Sequence, residues 1–446
     1  MSSRRNFLKQ AAAVAATAVT GGTATSFAMP KSNVLGANER INLAIVGVNA
    51  RGLAHSINFA KSKGCKVAVI CDCDTQVMAR AQDEVNKITG SRPQGEQDIR
   101  RMLENKDVDA VVIATPDHWH APAAIMAMQA DKHVYLEKPT SHNISENDLL
   151  VRAAAKYRKV VQVGNQRRSW PNLIEGIKLL HEGKIGRLRF GKGWYINHRA
   201  SIGKGKVVPV PAHIDWDLWQ GPAPRTEFHD NYLHYNWHWF WRWGTGEALN
   251  NGMHYVDILR WGLKEDYPIM VSSVGGRYHF TDDDWETPDT QLISFQFADG
   301  ASFYWEGRSC NALKTDGESS GMTFYGDKGS LHFTGGNQYT LYDEAGKEIL
   351  KKTSGEKFDT ANTISPSEAL DQYHYQNWFD GIRMGARLHS DICEACLSTH
   401  LVQLGNIAQR VGHSLQIDPL TGRIIGDLEA QKFYSREYEP GWEIHV

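Results

Sequence analysis

Lys138 and His254 are the two residues whose settings in the sequence favour a role in chemistry. Lys138 follows a short apolar run, His133 to Leu136, and stands in the tripeptide Glu137-Lys138-Pro139, where the proline favours extended geometry at the lysine. A lysine at the carboxyl end of a parallel strand lies in the crevice where such sheets bind ligands. Its ammonium group could there polarise a hydroxyl group that loses hydride.

His254 opens a predicted helix, and Asp257 follows one turn later. Removal of hydride from a carbinol carbon requires a base, because the alcohol proton must leave with the hydride, and neutral imidazole is a suitable acceptor. We expect His254 to take that proton and Asp257 to orient the ring. A histidine in this setting can equally be a helix cap or a core residue, so the alternative stays open.

Residues 47–52, Gly-Val-Asn-Ala-Arg-Gly, have the spacing of a dinucleotide-binding turn. Gly47 allows the tight turn, Gly52 lets the following helix pack on the strand, and the helix start offers N–H groups to a pyrophosphate. Asn49 replaces the middle glycine, and asparagine tolerates left-handed backbone well. Asp72 follows 20 residues after Gly52, where a carboxylate accepts ribose hydroxyls and repels a 2′-phosphate. This pattern predicts NAD as the cofactor in preference to NADP.

The first part of the chain alternates short apolar runs with helical patterns. The runs lie at 41–47, 66–71, 109–115, 133–136 and 160–163, and the helical patterns lie at 52–63, 97–105, 122–130 and 145–156. Strands that alternate with helices of this length predict βαβ units and a parallel sheet. We therefore expect an NAD-binding Rossmann domain over residues 40–165.

Beyond about residue 185 the pattern changes to short alternating segments separated by turn residues. These segments lie at 292–297, 302–305, 322–325, 330–333 and 339–342, and helices are expected at 375–384 and 392–411. Such alternation is typical of antiparallel sheets. The predicted fold class is α/β, with an N-terminal Rossmann doubly wound parallel sheet and a C-terminal α+β substrate-binding domain, residues 166–446, that has a mostly antiparallel open sheet.

Residues 1–28 predict an export signal. Arg4-Arg5 precede a weakly apolar run from Ala11 to Val19, and Ser26-Phe27-Ala28 has the form of a cleavage site. Paired arginines in this setting resemble a bacterial twin-arginine signal, and the run is too short to span a bilayer. We expect the twin-arginine export machinery to deliver a soluble periplasmic protein with no membrane anchor.

The composition excludes a polyanionic partner. The chain carries 49 basic and 51 acidic residues, a net charge of -2, so no basic field exists to hold nucleic acid. There are 14 tryptophans, and eight of the sixteen residues from Phe228 to Trp243 are aromatic. Indole faces suit the apolar C–H faces of sugars, and packing in the sheet or at a subunit interface is the alternative for most of these rings. The aromatic residues therefore favour a small neutral ligand.

Neither the cysteines nor the clustered histidines predict a metal site. Cys393, Cys396 and His400 have metal-like spacing, but they equally fit one face of a helix, and a disulfide is a third reading. His229, His234 and His238 lack carboxylates at fitting spacing. We expect no bound metal.

Five motifs recur in the order and spacing of a known family. They are residues 45–52 (IVGVNARG), 114–121 (ATPDHWHA), 137–139 (EKP), 164–167 (GNQR) and 252–254 (GMH). Together they resemble the Gfo/Idh/MocA family of NAD(P)-dependent oxidoreductases, and the similarity covers roughly residues 40 to 446. The stretch from Leu404 to Asp427 is similar to the family's exported bacterial branch.

The resemblance implies an active site between the two domains, with Lys138 and His254 as the catalytic pair. The residues implied to hold the cofactor are Gly47, Asn49, Arg51, Gly52, Asp72, Thr115, Pro116, His120, Glu137 and Gln166. The residues expected to contact substrate are Arg167, Tyr195, His198, Asn250 and Asp257. We also expect a homo-oligomer.

One position departs from the family pattern. Dehydrogenase members often carry Asp four residues before the histidine, where this chain has Asn250, which cannot share a proton relay. Members that resemble glycoside hydrolase family 109 also have export signals, and they use bound NAD for redox-neutral glycoside cleavage. We therefore expect an exported oxidoreductase with tightly bound NAD that abstracts hydride from a sugar or glycoside, for example at C3. A redox-neutral glycosidase and a non-catalytic sugar-binding or regulatory protein are the alternatives.

Overall fold

The computed structural model describes residues 40–356 and 367–446, which form two sheets with associated helices. The predicted export signal, residues 1–28, lies outside the described residues. One sheet has six strands and the other has nine.

The six-stranded sheet is parallel and has the order β3-β2-β1-β4-β5-β6. Its strands are β1 (Ile41–Val46), β2 (Cys65–Cys71), β3 (Gln94–Glu96), β4 (Ala110–Ile113), β5 (His133–Leu136) and β6 (Val161–Val163). The helices between them are α1 (Arg51–Lys61), α2 (Thr75–Thr89), α3 (Ile99–Leu103), α4 (Asp117–Gln129) and α5 (Ile144–Tyr157). This order reverses direction between β1 and β4, which is where doubly wound sheets bind ligands. The predicted Rossmann-type parallel sheet is confirmed.

Strand β3 and helix α2 were not predicted from the sequence. The apolar signal of α2 is weak, because it buries only four residues: Val77, Ala81, Gln82 and Val85. Its ends are nevertheless well defined. The Asp74 side chain accepts hydrogen bonds from the first turn, and Gly90 ends the helix in the left-handed conformation at φ 72°.

The nine-stranded sheet has the order β14-β13-β12-β11-β7-β10-β9-β8-β15. Its strands are β7 (Leu188–Ile196), β8 (Met270–Gly276), β9 (Thr290–Gln296), β10 (Ser302–Arg308), β11 (Ser320–Gly326), β12 (Gly329–Thr334), β13 (Tyr339–Asp343), β14 (Glu348–Lys352) and β15 (Leu415–Gln416). Its associated helices are α6 (Pro171–His181), α7 (Trp216–Gln220), α8 (Met253–Leu263), α9 (Glu368–Met384), α10 (Ile392–Val411) and α11 (Leu428–Gln431). Only β7 and β10 pair in parallel, so the prediction of a mostly antiparallel second sheet is confirmed.

Helix α8 packs very closely on the centre of this second sheet. A Cβ atom at Gly191 would come within 2.8 Å of a Leu259 methyl group, and one at Gly193 within 3.0 Å of the Tyr255 Cβ atom. Both glycines lie on β7, so their lack of a side chain lets the helix approach the strand. This packing fixes the start of α8, where His254 lies.

Between residues 40 and 446, leaving out 357–366, no helix combines the length and the apolar character that crossing a bilayer requires.

Candidate active site

A cleft runs along the carboxyl ends of β1, β4 and β5. Its far wall is formed by residues 234–238 and by a π-helical turn at Ala248–Gly252, which leads directly into α8. The cleft therefore joins the predicted cofactor turn to the predicted catalytic residues. Residues from both sheet regions line it: Gly47, Asn49, Arg51, Asp72, Thr115, Pro116, His120, Glu137, Lys138, Gln166, Asn250 and His254.

The glycine turn has the geometry that the sequence predicts at Gly47 and Gly52. Gly47 is left-handed at φ +77°, and a Cβ atom there would lie 2.7 Å from the Thr115 nitrogen. A Cβ atom at Gly52 would lie 1.8 Å from the Gly47 carbonyl oxygen. Asn49 does not use the left-handed conformation that asparagine tolerates, because it is not among the residues with positive φ. Its backbone carbonyl instead accepts a hydrogen bond of 2.5 Å from Arg80.

Asp72 supports this turn from the end of β2. Its Oδ2 accepts a hydrogen bond of 2.7 Å from the Val48 N–H, and its Oδ1 accepts one of 2.9 Å from the Asp74 N–H. Burial raises the pKa of Asp72, and these two N–H groups oppose that shift. The carboxylate thus braces the loop and also lines the cleft.

Arg51 and Glu137 line the cleft but bind each other. Arg51 Nε lies 2.9 Å from Glu137 Oε1, and Arg51 Nη1 lies 2.9 Å from Asp371 Oδ2 on α9. Burial opposes the charge of Glu137, but the Arg51 guanidinium and the His55 hydrogen bond hold its pKa well below the usual value. A Cβ atom at Gly164 would meet the Glu137 carboxyl group at 2.7 Å, which explains the glycine in the Gly164-Asn165-Gln166-Arg167 motif.

Lys138 and His254 open onto the same cleft. Lys138 Nζ donates a hydrogen bond of 2.6 Å to the Asn250 carbonyl oxygen in the π-helical turn. Burial lowers the pKa of Lys138, whereas the Glu137 and Asp117 carboxylates raise it. Burial, reinforced by the cations of Lys138 and Arg167, lowers the pKa of His254 well below its usual value. The imidazole is therefore neutral near pH 7 and has a lone pair with which to accept a proton.

The prediction that Asp257 orients His254 is wrong. The Asp257 carboxylate is buried and accepts two hydrogen bonds of 2.7 Å from Arg168 and a third of 2.7 Å from Ser398. A buried guanidinium needs such a counterion, and this requirement turns Asp257 away from the cleft. Within the described residues, His254 Nδ1 has no hydrogen-bond partner.

Three other predicted substrate contacts do not line the cleft either. Tyr195 points into the core beneath the sheet, His198 is exposed on the loop after β7, and Arg167 donates to the Tyr255 hydroxyl at 3.1 Å. These assignments rested on sequence position alone, which does not determine the direction in which a side chain points: Tyr195 faces the core from β7, and Arg167 is engaged by Tyr255. Asn250 alone among the five predicted contacts lies in the cleft.

The aromatic segment Phe228–Trp243 divides into two parts. Phe228, Phe240 and Trp243 pack with Trp216 and Trp219 in a hydrophobic cluster, as the packing alternative expected. Other residues of this part of the chain line the cleft, and the sequence analysis named none of them as a cofactor or substrate contact: Leu218, Trp219, His234, Tyr235, Trp237 and His238. The density of aromatic residues was the available signal, but it could not separate the two sets.

His234 fastens this segment to the nucleotide-binding side. Its Nε2 lies 2.8 Å from Asp74 Oδ2, the N-cap carboxylate of α2. His213 Nε2 lies 3.7 Å from the same oxygen. The segment is therefore attached to the first sheet region at the end of the cleft that Asp72 lines.

The three histidines considered as metal ligands have separate partners. His229 stacks on Tyr232, His234 binds Asp74, and His238 binds the Tyr235 carbonyl oxygen. Cys393 is exposed and Cys396 is buried, and both thiols are free. Among the described residues, His279, Asp289 and Cys310 bring ligating atoms within 4.8 Å of one another, outside the cleft-lining set.

Comparison with known proteins gives two family matches. Residues 41–165 match the Gfo/Idh/MocA model described as an oxidoreductase family with an NAD-binding Rossmann fold, and residues 190–328 match the model of its C-terminal alpha/beta domain. Glycosyl hydrolase family 109 protein 2 of Shewanella sp. (strain ANA-3) is 32% identical over 210 residues, covering 44% of this chain and 46% of that protein. The match thus spans about half the length of the curated relatives.

Solved structures share the fold at low identity. The WlbA dehydrogenase from Bordetella pertussis, in complex with NADH and UDP-GlcNAcA, has a TM-score of 0.63 at 19% identity, covering 85% of this chain and 99% of that chain. The aldose-aldose oxidoreductase from Caulobacter crescentus, complexed with glycerol, has a TM-score of 0.64 at 16% identity, covering 85% and 100%.

We predict that Asp257→Asn destabilises the protein by about 3–5 kcal/mol, because it removes the carboxylate charge that accepts two hydrogen bonds from the buried Arg168 guanidinium. Chemical unfolding measures this loss, and Asp282→Asn, at an exposed position, serves as the control. At denaturant concentrations too low to unfold it, the variant should have the same pH–rate profile as the wild type. A profile shifted like that of a His254 variant would restore the role first predicted for Asp257.

We predict that any step in which His254 accepts a proton stays active well below pH 6.5. Protonation removes the lone pair, and the lowered pKa of His254 moves that loss to more acidic pH. The acid limb of a plot of kcat/KM against pH gives the pH at which this activity is lost. A limb centred at or above the ordinary histidine value would contradict the burial of this imidazole.

Proposed function

Because the chain belongs to the Gfo/Idh/MocA family of oxidoreductases and has its NAD-binding Rossmann fold, we propose that it abstracts hydride from a carbinol carbon of a sugar or glycoside. The observation that carries the proposal is that Lys138 and His254 line one cleft with the glycine turn. In this proposal residues 40–165 hold the cofactor and residues 166–446 bind substrate.

The residues at the glycine turn fit NAD. A Cβ atom at Gly47 would clash with the Thr115 backbone, so the glycine lets the turn lie close to the end of β4 and leaves the start of the next helix to offer N–H groups to a phosphate group. Thr115 Oγ1 and Gln166 Oε1 are buried atoms that lack hydrogen-bond partners in the described part of the chain, and both residues line the cleft. Asp72 would accept the ribose hydroxyls. Bound NAD supplies a hydride acceptor for the carbinol carbon.

Lys138 and His254 would act on the substrate hydroxyl group, one as hydrogen-bond donor and the other as proton acceptor. The Lys138 ammonium, held by the Asn250 carbonyl oxygen, would donate to the substrate oxygen and stabilise the charge that develops there. His254, neutral because it is buried, would take the hydroxyl proton. Their presence in one cleft argues against a protein that only binds sugar.

A sugar or glycoside is the substrate class that the cleft wall favours. Trp219, Tyr235 and Trp237 offer aromatic surface beside the catalytic pair, and such surface suits the C–H faces of a neutral sugar. The carbon oxidised, which we take to be C3, is part of the proposal.

A second candidate is a redox-neutral glycosidase, and a specific observation favours it. The curated relatives are named glycosyl hydrolase family 109 proteins. In that scheme C3 is oxidised, the C2 proton leaves, the glycosidic bond breaks, water adds, and C3 is reduced again. Asn250, in place of the carboxylate common in dehydrogenases, agrees with this alternative.

Tight retention of the cofactor completes the proposal. Residues 1–28 would direct export to the periplasm, where little free NAD is present, so each turnover must restore the bound cofactor. The contact between His234 and Asp74 supports retention because it fastens the aromatic segment beside the Asp72 end of the cleft. We also propose a homo-oligomer.

We predict that Lys138→Ala lowers turnover by a factor of about 10²–10⁴, because the substrate oxygen loses its donor. The assay incubates the NAD-loaded protein with p-nitrophenyl glycosides and with free sugars. Released phenol indicates the glycosidase, whereas a 3-keto product indicates the dehydrogenase. Lys204→Ala, at an exposed position, is the matched control. Full turnover by Lys138→Ala would overturn both versions of the mechanism.

We predict that the purified protein carries NAD that survives dialysis and is released on denaturation. His234→Ala should lose most of this nucleotide on dialysis, because the hydrogen bond to Asp74 is removed. His229→Ala, which removes a ring stacked on Tyr232, should keep it. The absorbance and mass of the released nucleotide give the readout. Protein that never holds nucleotide would contradict tight retention.

A further inference from the structure

We infer that His238 is a second proton-transfer residue of this cleft, placed to remove the proton from the carbon next to the oxidised one. The inference rests on the proposed function and deepens its redox-neutral branch. His238 lies in a short 3-10 turn at Asn236–Trp239, on a different element from Lys138 and His254, and it lines the same cleft.

The hydrogen bonding of His238 defines which nitrogen can act. Its Nδ1 lies 2.6 Å from the Tyr235 carbonyl oxygen. A carbonyl oxygen only accepts, so Nδ1 carries the hydrogen, and the neutral ring keeps its lone pair on Nε2. Within the described residues no group binds Nε2. Nε2 of His238 therefore has a free lone pair, and His238 lines the cleft.

The ring is also held in one orientation. It stacks on Trp237 with ring centres 3.6 Å apart and planes 19° apart, and Tyr235 packs against it at 4.5 Å. A base that is held in place in this way needs no reorganisation before it takes a proton.

The electrostatic surroundings keep His238 neutral. Removal from water lowers its pKa to about 3, and the cations of Lys138 and Arg199 add to that shift. A neutral imidazole is the form that removes a proton.

The full cycle moves two protons: one leaves the C3 hydroxyl when C3 is oxidised, and one leaves C2 when the keto glycoside eliminates. His254 is the proposed acceptor for the first, and a base on another element can take the second without waiting for His254 to lose the first. When His238 Nε2 removes the C2 proton, that electron pair forms the C1–C2 double bond, and the C1–O bond breaks. The leaving oxygen takes a proton from water. The hydroxide left by that water adds at C1, and His238 returns its proton to C2, so the net reaction is hydrolysis of the ketoglycoside.

The test follows the C2 proton directly. Methyl 3-ketoglycosides of gluco and galacto configuration, with deuterium at C2, are incubated with the NAD-loaded protein, and NMR measures the loss of deuterium to water. His238→Asn is the variant of choice, because its amide nitrogen can still donate to Tyr235 while Nε2 is lost. We expect exchange at least about 100-fold slower than the wild type, with unchanged thermal unfolding and ketoglycoside affinity. His229→Asn, from the same segment but outside the cleft-lining set, should exchange like the wild type.

The outcomes separate the two claims. Formation of reduced nicotinamide from unoxidised glycosides tests the proposed function independently. If the wild type forms it but does not wash out deuterium, or if His238→Asn exchanges as fast as the wild type, the assignment of His238 is overturned and the oxidoreductase stands. If the wild type does neither, the proposed function itself fails. Nitrogen chemical shifts of His238 in the NAD-loaded protein without substrate give a readout without turnover, and a proton on Nε2 in place of Nδ1 would also overturn the assignment.

Discussion

A buried guanidinium held between two carboxylates organises the candidate active site. Arg51, at the start of the helix after the glycine turn, binds Glu137 at the end of β5 and Asp371 on α9. Burial of these charges is costly unless each is paired, and His55 gives Glu137 a second partner. The arrangement fixes Glu137, and therefore its neighbour Lys138, relative to the turn that would cradle a phosphate group. Loss of the Arg51 charge would leave both carboxylates without this cation.

A hydrogen bond from Lys138 connects this charged cluster to the other side of the cleft. The Lys138 ammonium donates to the carbonyl oxygen of Asn250, and the Asn250 and Asn251 amides both contact the Glu247 carboxylate. Glu247 is itself paired with Arg199 at 2.6 Å. The π-helical turn that carries these residues opens α8 and so determines where His254 lies. Both proposed catalytic residues are thus positioned by buried polar networks, which hold side chains more narrowly than apolar packing.

The sequence predicted the sheets and the cleft better than the side-chain partners within it. Apolar runs and the glycine spacing identified the parallel sheet, because buried strands and tight turns leave strong local signals. Helix α2 was missed, since only four of its residues are buried. Asp257 was misassigned because helical spacing suggested a partner on its own helix, whereas the buried Arg168, 89 residues away in sequence, required it. His238 was set aside with the other histidines, because its place in the cleft depends on how the aromatic segment folds. Long-range pairing of buried charges leaves no periodic pattern in the sequence.

The central claim is that a carbinol carbon lies between Lys138 and His254 and gives up hydride in this cleft. The most direct measurement is a rapid-mixing absorbance trace of reduced nicotinamide after NAD-loaded protein meets glycosides that carry either hydrogen or deuterium at C3. The account predicts a transient rise in a single turnover, slower with deuterium than with hydrogen. Loaded protein that cleaves or converts the glycoside with no such transient, or at a rate indifferent to deuterium under single-turnover conditions, would contradict it.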